Sequence, residues 1–122
     1  MTIGRKMKVT KIFCEAALVS AFLAVPLEST ADVLDGNFYY HLCNSDAVSD
    51  RNLCLVYVSG WVDGVVLTEK SMGSRRTICP PSGVRYEQFK DVFAAYLNQH
   101  PEQRQLLPSV ILGKAIPPAF PC

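Results

Sequence analysis

His41 stands two residues before Cys43, and an imidazole beside a thiol is the minimum for a cysteine nucleophile with its base. That cysteine has three companions downstream, Cys54, Cys79 and Cys122, and four thiols close two disulfides equally well. Other chemistries have less to build on. Zinc asks for thiolates or imidazoles in close-spaced pairs, and no Cys-x-x-Cys occurs. There is no glycine-rich phosphate loop. Asp63 and Glu87 could form a carboxylate pair, but each reads first as a surface or capping residue. His100, just before Pro101, reads as a cation at a helix C-terminus. No metal and no cofactor is expected.

The compartment decides between nucleophile and disulfide. The opening "MTIGRKMKVTKIFCEAALVSAFLAVPLESTADV" sets four basic residues ahead of an apolar run and then reaches Ser29-Thr30-Ala31, a small-x-small cleavage site. The weakly polar stretch Ala16 to Leu27 is twelve residues long, short of the roughly 20 that a membrane-spanning helix needs. Residues 1–31 therefore read as a signal peptide that is removed together with Cys14, leaving an exported domain of residues 32–122 in the periplasm, with no membrane attachment. In that oxidising space the four remaining thiols pair off, so a nucleophile at Cys43 is disfavoured and the protein is not expected to be an enzyme.

Export also changes the charge. The whole chain is formally +1, but without the signal eight Lys/Arg face nine Asp/Glu, a net of −1. Nothing in that balance calls for nucleic acid. A domain of 91 residues is small enough to profit from staples.

The elements that must position those thiols are helical. A short first helix is expected over Asp35 to Cys43, followed by the polar loop "NSDAVSDRN". A longer second helix starts near Asp50, with Leu53, Tyr57, Trp61 and Leu67 at helical spacing and Cys54, Val58, Val62 and Val65 beside them. Gly73 stands where its terminator should. The run "RYEQFKDVFAAYLNQH" carries Tyr86, Phe89, Phe93, Tyr96 and Leu97 on one stripe and is stopped by Pro101. Pro108 suits the first position of a last helix, "PSVILGKAI", which Pro117 and Pro118 are expected to end. The fold class is all-α, a small disulfide-stapled bundle of about four helices.

Short connections make neighbouring helices antiparallel. Cys43 then closes helix one where Cys54 opens helix two, and Cys79 precedes helix three where Cys122 follows helix four. Topology thus favours Cys43–Cys54 and Cys79–Cys122 over the other two pairings. Gly60 and Gly64, four apart in the second helix, make a smooth groove. Close packing within the domain is the first reading of that groove, so that Gly64→Leu should overpack it, and a homodimer contact is the second.

The order "LC…CLVYVSGWVDGVV…ICPPSGVRYEQFKDVFAAYLNQHPE…FPC" resembles the Rap/Tai family of type VI secretion immunity proteins over Gly36 to Cys122. The shared elements are the helix-ending cysteine, the Cys-x-x-Tyr-x-x-Gly helix followed by an acid, Cys-x-Pro-x-Gly-Val before the third helix, and the Phe-Pro-Cys end. The resemblance implies a small, helical, exported binding protein whose partner is a secreted peptidoglycan amidase. The chain departs from the family in its tail, where Pro117-Pro118 shortens the last helix. Two rival classes are a periplasmic acid-stress chaperone, which two histidines and a net of −1 support poorly, and an exported enzyme. If a toxin is gripped, "KSMGSRRTICPP" is the expected loop, with Ser71, Met72, Arg75 and Arg76 at its tip.

Overall fold

The computed structural model describes residues 34–122. The expected signal peptide, its expected cut after Ala31 and Cys14 lie outside the described residues. Among the described residues four α-helices follow one another: α1 (Gly36–Asn44), α2 (Val48–Met72), α3 (Tyr86–Gln99) and α4 (Pro108–Ala119), with a 3-10 turn at Pro101–Gln103. The fold is all-α, with no strand among the described residues.

Helix α1 starts where the Asp35 carboxylate accepts the main-chain N–H groups of Asn37 (3.0 Å) and Phe38 (3.1 Å). These are donors that a first turn otherwise leaves unpaired. The next residue has to be glycine. A Cβ on Gly36 would stand 2.7 Å from the Arg104 carbonyl oxygen and collide with Ile111 Cδ1. Gly36 N–H donates to the Leu106 carbonyl at 3.0 Å, so the start of α1 lies directly on the chain leading into α4. Arg104 strengthens the same junction. Its Nε donates to the Leu97 carbonyl at 2.7 Å, and its guanidinium lies 3.5 Å from the centre of the Tyr40 ring.

Helix α2 begins at Val48, two residues ahead of the expected start, within the usual scatter of helix ends. Its buried stripe is Cys54, Val58 and Val62. Tyr57, Trp61 and Val65 flank the core, but Leu53 and Leu67 are 57% and 67% exposed, against the sequence expectation. The reason is that apolar residues surround α2 on most sides, so spacing alone cannot say which side faces inward. Gly60 and Gly64 are corrected too. Both are exposed, with open space where a Cβ would stand, so the groove does not serve packing within the domain.

Helix α3 buries Phe89, Phe93 and Leu97 as its stripe requires, with Tyr96 half-buried and Tyr86 exposed. Helix α4 takes Pro108 at its start and buries Ile111, Leu112, Ala115 and Ile116. It does not end before Pro117, as expected, but runs through both prolines to Ala119. The prolines remove two donors whose acceptors would be the carbonyls of Gly113 and Lys114. Both of those residues are exposed, so water can replace the missing bonds, and Phe120 N–H closes the turn on Ile116 at 3.1 Å.

Two disulfides close the bundle, Cys43–Cys54 with a Cα separation of 5.3 Å and Cys79–Cys122 with one of 4.9 Å. These are the pairs that the antiparallel hairpins bring together. Chain entropy credits them with about 3 and about 4 kcal/mol, the longer loop being worth more. Phe120 stacks on Phe89 at 4.5 Å, and Cys79 N–H donates to the Phe120 carbonyl at 2.9 Å, so the terminal cysteine finishes a packed strap.

Candidate functional site

The segment between α2 and α3 is built from its two ends. Its near end is a left-handed turn at Gly73 (φ 62°), a conformation that glycine adopts without the Cβ clash other residues meet. There the Glu69 carbonyl accepts the N–H of Gly73 and, at 3.1 Å, that of Ser74. The Glu69 side chain continues the same grip, its Oε1 accepting Thr77 N–H at 2.9 Å and the Thr77 hydroxyl as well. The far end is Ile78, fully buried in the core, and the Cys79–Cys122 bond next to it. Between these anchors every residue from Gly73 to Thr77 is exposed.

Ser71 and Met72 lie in the last turn of α2, not in the loop where the sequence suggested them. The Ser71 hydroxyl donates back to the Thr68 carbonyl at 3.2 Å, and Met72 is 75% exposed. Arg75 and Arg76 lie in the loop itself, and among the described residues neither enters an ion pair. All four share one end of the molecule. A cleft of about 400 Å³ runs beside them, lined by Val66, Glu69, Lys70, Gly73, Ser74 and Arg76. A second, nearly apolar cleft of about 380 Å³ lies along Trp61, Gly64, Val65 and Thr68 and shares Glu69 with the first. A third of about 310 Å³ is bordered by Asp63, Val66, Pro80 and Tyr86. The Tyr86 hydroxyl donates to the Asp63 carboxylate across that third cleft, and this bond holds its phenol above the ordinary tyrosine range.

The other chemical candidates have been taken up elsewhere. Cys43 is bonded to Cys54, so His41 has no thiol to activate; its ring lies 5.4 Å from that of Tyr40. Asp63 serves Tyr86, while Glu87 meets Arg85 at 3.2 Å and is held below the usual carboxylate range by hydrogen bonds from its own backbone and from Arg85. His100 stacks on Tyr96 at 4.2 Å and meets Glu102 at 3.1 Å. Among the described residues no three His, Cys, Asp or Glu side chains converge as a metal site. No described helix is long and apolar enough to cross a membrane.

The family model for the Rap1a immunity proteins matches residues 35–122, from the cap of α1 to the terminal disulfide. The chain belongs to the Rap1a immunity family. No curated protein and no solved structure matches it. The matched stretch takes in both disulfides, the glycine turn and the arginine loop of this Rap1a immunity protein. Membership makes it a type VI secretion immunity protein, a class of inhibitors whose partner is a secreted effector. Glu69 was missed by sequence reasoning. The signal available was an acid four residues before a helix-ending glycine, a spacing that does not point to a bond across the turn.

Proposed function

We propose that this Rap1a immunity protein is exported as residues 32–122 and neutralises a secreted peptidoglycan amidase by seating the α2–α3 corner over the enzyme's cleft. The observation that carries the reading is a loop held at both ends while its two arginines enter no ion pair among the described residues. A held, projecting loop loses little entropy when it enters a concave site. Arginine is also enriched among the residues that dominate binding energy. Ser71, Met72, Arg75 and Arg76 are its contacts in this reading. The test is retention of purified secreted amidases, taken one at a time, on the immobilised periplasmic protein, with loss of cell-wall hydrolysis as the second readout. One amidase should be retained and silenced. Retention of none, or retention with full hydrolysis, would refute the reading.

A second contact concerns the outer face of α2. Gly60 and Gly64 are exposed there beside Val56 and Leu67, and two such faces could meet as a homodimer. Light scattering on the purified protein should give twice the chain mass, and Gly64→Leu should return it to one.

A further inference from the structure

Glu69 bonds the loop at four points. Its carbonyl takes Gly73 and Ser74 N–H, and its carboxylate takes the N–H and hydroxyl of Thr77. Those contacts close a ring around Arg75 and Arg76 and leave both side chains outside it. Ile78 and the Cys79–Cys122 bond hold the chain just past Thr77, and the backbone bond of Ser74 holds it at the near end, so neither anchor bonds Arg75, Arg76 or Thr77. Among the described residues it is the Glu69 side chain that bonds Thr77 across that gap.

We propose that Glu69 is a positioning residue, which fixes the arginine tip in its binding shape before any partner arrives. The proposal rests on the reading of this loop as the gripping surface and extends it to a residue outside the tip. The carboxylate need not touch the partner. Its role is to spare the ordering of residues 74–77 at the moment of contact. It also restricts the partner's chemistry. Lys70 and Arg76 line the cleft at this corner and Arg75 is exposed next to Arg76, whereas the carboxylates of Glu69 and Asp63 are bonded to Thr77 and Tyr86. The surface received should therefore be acidic, with carboxylates at the mouth of the partner's cleft.

The experiment compares Glu69→Ala and Glu69→Gln with the unaltered periplasmic protein. Helicity and the slow hydrogen exchange of the Val58 and Val62 amides serve as the check on folding. In Glu69→Ala the Thr77 amide should exchange at least about tenfold faster while those core amides are unmoved. Glu69→Gln retains an acceptor oxygen and should restore most of the protection. Affinity for the retained amidase should fall about tenfold in Glu69→Ala, chiefly through slower association, because the loop must then be ordered during binding. A lost direct contact would show instead as faster dissociation. Unchanged Thr77 exchange in Glu69→Ala would overturn the positioning role. Faster exchange with unchanged association would do so as well. In that case weakened binding by Arg75→Ala with Arg76→Ala would leave the loop reading standing. If neither the arginine pair nor Glu69 alters binding, the loop reading fails and the positioning role with it.

Discussion

Two connections in this molecule adjoin both a disulfide and arginine side chains, yet they use those charges in opposite ways. Between α1 and α2 the chain turns over three residues, Ser45 to Ala47. Arg51 donates to the carbonyls of Ser45 (2.9 Å) and Asp46 (2.7 Å), and Asp50 accepts the Ser45 hydroxyl at 2.7 Å. Cys43 and Cys54 are both buried beneath that turn. Between α2 and α3 the connection runs over residues 73–85. It is tied at Glu69 and at Cys79, but Arg75 and Arg76 are spent on nothing inside the described domain. The first turn is stabilised by the charges of Asp50 and Arg51, which are bonded back onto it. The second is restrained and still leaves its arginines over, which suits the proposed role of presenting them to a partner.

The largest effects that could break this contrast are at the disulfides. Removing Cys79–Cys122 by paired alanine substitution should cost about 4 kcal/mol, and removing Cys43–Cys54 about 3 kcal/mol, in chemical denaturation. The reverse order would mean that Phe120 packing, not the bond, holds the tail. Gly36→Ala comes next and should destabilise by about 1–3 kcal/mol, since the added Cβ meets the Arg104 backbone. Gly64→Ala should have the opposite sign, a gain of roughly 0.5–1 kcal/mol from helix propensity, because nothing lies within 4 Å. Melting curves of the two single variants separate those signs.

The smaller effects sharpen it. Arg51→Ala should lower stability by about 1 kcal/mol through two lost carbonyl bonds. Arg75→Ala with Arg76→Ala should leave the melting temperature within the range of ordinary surface changes, about 0.5 kcal/mol. The smallest effect is one of pH. The Asn37 side chain and the first-turn N–H groups hold Asp35 below the usual carboxylate range. Its contribution to stability is therefore complete above the unfolded carboxylate range and is lost as pH falls through the lowered value. Asp35→Asn should remove that part of the acid dependence; an unchanged acid limb in the stability profile would show that other carboxylates account for it.

Much of this architecture could be read from the chain because its signals were redundant. The stripe of Phe89, Phe93 and Leu97, the stop at Pro101 and the start at Pro108 each follow from one local rule. The inward face of α2 could not be read, since Leu53 and Leu67 are as apolar as Val58 and only the neighbouring helices distinguish them. Gly60 and Gly64 misled for a related reason. A missing side chain permits close approach but does not say whether a neighbour comes. The loop was legible in its charges and its cysteine. Its shape was not, because Glu69 reaches eight residues ahead, across a turn that sequence spacing does not describe.

The proposed role of the loop depends on Arg75 and Arg76 as the gripping contacts. Calorimetric titration of the retained amidase with the Arg75→Ala, Arg76→Ala protein, its fold verified by helicity and melting temperature, measures that directly. The expected result is a folded protein whose affinity has dropped by about thirtyfold or more, in line with hot-spot truncations of about 2 kcal/mol. A folded variant that binds and silences the amidase as tightly as the unaltered protein would contradict it, and the α2–α3 loop would then be only a connector.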